Sequence, residues 1–244
     1  MKNFTINTIA LAIISVISIS QVSYGAETEI TLNGAELENK ALSGENGVLY
    51  PVREICGGIG LDVEWNAGDS SCVISDGERK ISFAIGRNEY VIDNRQTETF
   101  AAPELINGLS YVPGEFLECL GLDFKTTENG TELISEPKVT LEENKTFIVH
   151  KGEPFRVVLE ENASTGYAWS VDGDDSVIVL DVRTETGGTD GLATVGAPET
   201  KTWIYKCDIP GEYSLEYTYS RPFDGSVEDR AEYKFIVADN MSVE

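Results

Sequence analysis

The spacing of apolar residues changes along this chain, and the change divides it in two. After Lys138 the period is two: Phe147 and Val149; Phe155, Val157 and Leu159; Tyr167 and Trp169; Trp203 and Tyr205; Tyr213, Leu215, Tyr217 and Tyr219; and Tyr233, Phe235 and Val237 all alternate with polar neighbours. Side chains of a strand point to opposite faces in turn, so this alternation predicts strands that bury one face each. Before Lys138 the pattern is mixed. Two segments, opened by Pro51 and by Pro113, carry apolar residues at helical spacing and close on glycine, the punctuation of short helices. Short strands are expected after each (Leu61, Val63, Trp65; Leu122, Phe124) and between them at Cys72–Ile74, Lys80–Ile85 and Tyr90–Ile92.

The two helical segments belong to two copies of a longer pattern. Gly47-Val-Leu-Tyr-Pro-Val-Arg-Glu-Ile-Cys-Gly-Gly-Ile-Gly-Leu-Asp-Val reappears as Gly108-Leu-Ser-Tyr-Val-Pro-Gly-Glu-Phe-Leu-Glu-Cys-Leu-Gly-Leu-Asp-Phe. The fold expected is therefore two domains: a small α+β domain with a pseudo-repeat over residues 26–136, then an all-β, immunoglobulin-like antiparallel sandwich over residues 137–244. Residues 1–25 are expected to be an export signal. Lys2 precedes an apolar run from Ile9 to Ile19, and Ser23-Tyr24-Gly25 offers small residues for cleavage after Gly25. That run is too short for a membrane span, so the mature chain is expected to act in an extracytoplasmic setting, secreted or held at the cell surface.

Charge narrows the list of partners. With 18 basic against 42 acidic residues and a net charge of −24, the chain is a poor candidate for nucleic acid, whose phosphates demand cations. Four cysteines, Cys56, Cys72, Cys119 and Cys207, are too few for a disulfide scaffold and have no CxxC spacing; at most one bridge in the first half, with two free thiols, is expected. His150 is the one histidine and lies far in sequence from any nucleophile-bearing loop. No glycine-rich loop leads into a helix, and zinc-site spacing is absent. No catalytic residue, metal or other cofactor is expected, and the chain is read as a non-enzyme.

Candidate chemistry lies in three loops between strands of the second half. The first, Asn162-Ala163-Ser164-Thr165-Gly166-Tyr167, combines side chains that bond to their own backbone with a glycine free to take positive φ. The second runs from Gly187 to Glu199 and includes Gly196 and Ala197. The third is Arg221-Pro222-Phe223-Asp224-Gly225.

Taken in order, the loops resemble those of the chagasin family of cysteine-peptidase inhibitors, where the first reads Asn-Pro-Thr-Thr-Gly-aromatic, the second is glycine-rich and the third is Arg-Pro-Trp. The resemblance spans roughly residues 138–239 and implies a reversible, non-covalent inhibitor of papain-like cysteine peptidases that wedges three loops into the active-site cleft. The peptidase-binding residues it implies are Asn162, Ser164, Thr165, Gly166 and Tyr167, then Gly196 and Ala197, then Arg221, Pro222 and Phe223. Ala163 and Phe223 depart from the family's Pro and Trp, removing a backbone restraint and an indole donor.

The first half, roughly residues 28–135, resembles the copper amine oxidase N-terminal-like domain through Ile30-Thr-Leu-Asn-Gly34, Tyr50-Pro-Val-Arg-Glu54 and Tyr111-Val-Pro113. In that family the module is an accessory or stalk that carries no copper site, and this half contains no histidine to bind one. The resemblance implies a spacer or display module, or one that associates with cell wall or another extracellular polymer. The competing function for the whole chain is a non-catalytic cell-surface binding or adhesion module.

Overall fold

The computed structural model describes residues 25–77, 79–98, 100–128, 130–186 and 198–239. The expected export signal, all but its last residue Gly25, lies outside the described residues, and so does most of the second loop, Gly196 and Ala197 included. Strands make up most of the described chain, gathered into several sheets, with two short helices. Among the described residues no helix is long and apolar enough to cross a membrane.

The first half comprises β1 (Glu27–Leu32), β2 (Ala35–Glu36), β3 (Ala41–Gly44), β4 (Gly47–Pro51), α1 (Val52–Gly58), β5 (Asp62–Asn66), β6 (Ser71–Ser75), β7 (Lys80–Ala84), β8 (Glu89–Ile92), β9 (Arg95–Glu98), β10 (Glu104–Ile106), β11 (Leu109–Pro113), α2 (Gly114–Cys119), β12 (Leu122–Thr126) and β13 (Gly130–Ser135). One sheet has the order β10-β11-β4-β3-β1-β13-β12, with β2 beside β1, and β5 to β9 form a meander. Both helices start directly after the prolines that close β4 and β11, where a missing N–H costs nothing. They bury Val52, Ile55, Phe116 and Leu117 against Ile30, Leu133 and the aromatic group of Phe83, Tyr90 and Phe100.

The bridge expected in this half is not formed. All four cysteines are free. Cys56 and Cys72 are fully buried and serve as small apolar residues of the core. Burial pushes the Cys56 thiol up to about 12, so it stays protonated and unreactive at neutral pH.

The second half comprises β14 (Val139–Thr140), β15 (Thr146–His150), β16 (Phe155–Glu161), β17 (Ala168–Gly173), β18 (Val177–Thr186), β19 (Glu199–Cys207), β20 (Gly211–Ser220) and β21 (Val227–Ala238). They form two four-stranded sheets, β14-β16-β19-β18 and β15-β21-β20-β17. The alternating residues of the sequence meet between them: Val149, Phe155, Val157, Trp203, Tyr205, Leu215, Tyr217, Tyr233, Phe235 and Val237 make one buried cluster. Pairing is not wholly antiparallel, because β14 runs parallel to β16 and β15 parallel to β21. Both parallel strands lie at sheet edges, where the entering chain adds to a neighbour's free side.

Inside this core the hydroxyls of Tyr205 and Tyr217 lie 2.5 Å apart, each the other's partner. Burial raises both phenols, Tyr205 to about 12 and Tyr217 further still. A raised acid pKa means the unfolded chain ionises first. The stability these phenols hold is complete below their ordinary value of about 10 and is lost as pH climbs through 12. Near-UV dichroism should therefore collapse within that alkaline window. Tyr217→Phe, which strands the Tyr205 hydroxyl, should cost about 1–3 kcal/mol at neutral pH by urea denaturation.

The halves are joined by only Glu136-Pro137-Lys138, between the end of β13 and the start of β14, and they touch beside that connection. Ile134, Leu180 and Ile204 form a small buried core across the junction. Charges ring it: Arg183 reaches Asp123 at 2.8 Å, Arg156 reaches Glu136 at 2.5 Å, and Lys125 stands 4.0 Å from Asp181. An apolar centre with a charged rim is the anatomy of a specific interface, and the short connection leaves little freedom to part.

Candidate functional site

The first and third loops leave the same end of the second half, one between β16 and β17 and the other between β20 and β21. Each is first rigid by itself. In the first, a single turn of 3₁₀ helix covers Ala163–Thr165. The Asn162 carboxamide oxygen accepts from the Ser164 amide at 3.1 Å and its hydroxyl at 2.6 Å. The Thr165 amide and hydroxyl both donate to the Asn162 carbonyl, at 3.0 and 2.7 Å. Gly166 then takes φ +77, where an L side chain is strained. In the third loop, Asp224 accepts from the Ser226 amide at 2.9 Å and hydroxyl at 2.6 Å, and Gly225 turns the chain with φ +72. Those Ser226 bonds, reinforced by Arg221, hold the Asp224 carboxyl below the ordinary carboxylate range.

Arg221 ties the two loops together. Its Nη2 donates to the Thr165 carbonyl at 3.1 Å, and Nη1 stands 3.4 Å from the Asp224 carboxylate. The guanidinium carbon lies 4.4 Å from the Tyr167 ring centre and 5.2 Å from that of Phe223, so the planar cation sits between two aromatic rings. Tyr167 and Ser226 add a second tie, hydroxyl to hydroxyl, at 3.1 Å. A Cβ on Gly166 would approach the Phe223 ring to 3.3 Å, so the absence of a side chain there lets the ring lie over the first loop.

The result is a projecting edge whose polar groups face inward. Ser164, Thr165, Gly166 and Pro222 are exposed, and Phe223 presents 77% of its surface to solvent. An apolar ring so exposed on a braced loop is suited to burial in another molecule. Of the residues singled out in the sequence, Thr165, Gly166, Tyr167, Arg221 and Phe223 come together here, with Asn162 and Ser164 fixing the base of the first loop. Gly196 and Ala197 lie outside the described residues. Arg221 is a brace more than a surface group, since it is largely enclosed by its neighbours.

Two supports escape a reading of the loops alone. The Tyr219 hydroxyl accepts from the Asn162 amide at 2.9 Å, while the Tyr219 ring packs on Tyr167 and Trp169. Ser226 serves both Asp224 and Tyr167. Tyr219 carries a signal in its alternation with Tyr217; Ser226 carries none.

In comparison with known proteins, each half matches a family model of its own. The model of the chagasin family peptidase inhibitor I42 matches residues 148–237, and the copper amine oxidase N-terminal domain matches residues 31–135. Residues 31–135 are thus similar to the copper amine oxidase N-terminal domain and residues 148–237 to the chagasin family of peptidase inhibitors. A protease inhibitor of Brevibacillus choshinensis is 25% identical over 193 residues, which cover 76% of this chain and 57% of that protein. The chain therefore spans little more than half the length of the curated relative it matches. Among solved structures, the Entamoeba histolytica cysteine protease inhibitor EhICP2 is 21% identical, with a TM-score of 0.36, covering 42% of this chain and all of that one. Amebosin is 22% identical with a TM-score of 0.34, over 43% of this chain and all of that one. The Brevibacillus and Entamoeba proteins are both described as inhibitors.

Proposed function

We propose that this protein is a reversible, non-covalent inhibitor of papain-like cysteine peptidases that acts outside the cytoplasmic membrane. The inhibitor is residues 137–244, an immunoglobulin-like sandwich; residues 26–136, a pseudo-repeated α+β domain, hold it. The observation that carries this reading is the Arg221 brace, which turns the first and third loops into one pre-ordered edge tipped by Phe223. The family match over the same residues supports it.

A peptidase cleft is a groove with a reactive thiol at its centre. Thr165 and Gly166 would lie over that thiol and Phe223 would fill the groove's wall, with Gly196 and Ala197 of the second loop on the other side. Because strands and internal hydrogen bonds fix the edge, little ordering entropy is lost on binding. An interface of standard size, about 1,600 Å², then suffices for nanomolar affinity. The Asn162 and Thr165 carbonyls of the first loop are already taken, by the Thr165 amide and hydroxyl and by Arg221, and Ala163–Thr165 is a helical turn, so this loop would present a bent backbone and not an extended, cleavable one to the thiol. Titration of papain with the protein tests the proposal: activity should fall in proportion to inhibitor added and return on dissociation.

A further inference from the structure

A groove on the first half, away from the inhibitory loops, has a composition the inhibitor function does not use. Its floor carries Trp65 of β5 with Leu105 and Leu109, and its rim carries Asn39, Arg53 and Glu54. The volume is about 420 Å³, within the range of small-ligand clefts. Trp169 and Trp203 pack edge-on or tilted against tyrosines, whereas Trp65 is 37% exposed and, among the described residues, has no aromatic neighbour. Leu105 beside it is 48% exposed.

The rim is held in place before any ligand arrives. The Glu54 carboxylate accepts from the amides of Glu38 at 2.6 Å and Asn39 at 3.0 Å and from the Asn39 side chain at 2.9 Å. Arg53 donates through Nη1 to the Val63 carbonyl at 2.8 Å, fixing the helix to the strand that carries Trp65. That leaves the remaining Arg53 N–H groups, the Asn39 carboxamide oxygen and the exposed indole as recognition groups.

We infer that this groove binds an uncharged oligosaccharide. A pyranose ring has one face of C–H groups and an edge of hydroxyls. The faces pack on an exposed indole, whose π-cloud attracts polarised C–H, while vicinal hydroxyls match the remaining guanidinium N–H groups and the carboxamide oxygen. Charge excludes the anionic alternatives: the rim carries two carboxylates, Glu38 and Glu54, for one Arg53, on a chain of net charge −24. Apolar peptides would leave the rim's hydrogen-bonding groups unmatched.

The test is calorimetric titration of the whole protein with two uncharged trisaccharides, tri-N-acetylchitotriose and cellotriose, backed by tryptophan emission. Binding of either at millimolar or lower concentration is expected, with a blue shift from Trp65. Trp65→Ala should weaken it about tenfold or more, and Trp65→Tyr should recover part of the loss. Urea midpoints of the two Trp65 variants equal to that of the unaltered protein check that an effect does not arise from misfolding. Peptidase inhibition should be the same in both variants. Preference for the chitotriose would indicate an amino-sugar polymer and preference for cellotriose a glucan. Failure of the folded protein to bind either sugar, or undiminished binding by Trp65→Ala, overturns the inference.

Discussion

Arg221→Ala should weaken inhibition of a papain-like peptidase by about 2–4 kcal/mol, roughly 30- to 1,000-fold in inhibition constant, while the protein stays folded. The substitution removes the bond to the Thr165 carbonyl and the cation between Tyr167 and Phe223. The loops then lose their common geometry, and binding must supply the ordering that the free protein now supplies. Lysine at this position should restore little, because a point charge on a flexible stem cannot stack between two rings while bonding to a carbonyl. Global stability should change by no more than about 1 kcal/mol, since the loop lies at the end of the sheets and outside the buried cluster. Inhibition constants measured beside urea midpoints separate the two effects.

Ile204→Asp should be the most damaging single change to stability, at about 3–5 kcal/mol, a large share of the 5–15 kcal/mol that holds an ordinary domain. Ile204 is 1% exposed and touches Ile134 and Leu180 across the junction of the halves, so the substitution places an uncompensated carboxylate there. The cations beside it in the sheet, Arg156 opposite it and Lys206 two positions on, already serve Glu136 and Asp208. Ile148→Asp, at a position 63% exposed, should shift the urea midpoint little and is the control. If the junction is as tight as its packing indicates, Ile204→Asp will also open Glu136–Lys138 to limited proteolysis.

The second half was largely legible because its strands cover one face each. Phe155, Val157, Trp203, Tyr205, Leu215, Tyr217, Tyr233, Phe235 and Val237, picked out by alternation, are all buried in one cluster. β18 escaped. Its Val177-Ile178-Val179-Leu180 run does not alternate, because the register shifts between Val179 and Asp181 and Leu180 turns to the other half of the chain. The junction itself left a trace that pattern-reading passed over. From Trp203 to Cys207 every residue is buried, the mark of a strand covered on both faces, and Ile204 alone of its outward side chains is apolar. In the first half, proline and glycine marked both helices.

At the candidate site the residue types were legible and their connections were not. Asn162, Ser164 and Thr165 bond within their own loop, as such residues do at turns. The contact from Arg221 to Thr165 spans 56 positions and exists only because β17 and β20 are paired, with Ala168 opposite Ser220. Tyr219 supports the first loop from a strand position whose side chain reads, in sequence, as one more core aromatic.

The central claim is tested most directly by titrating active papain with the purified chain and following hydrolysis of a small substrate. The expected result is a stoichiometric loss of activity that reverses when the complex is diluted or competed, with the inhibitor recovered uncleaved. A folded protein that leaves papain and other papain-like peptidases fully active, or that is cut within Asn162–Tyr167 as a substrate, would contradict it.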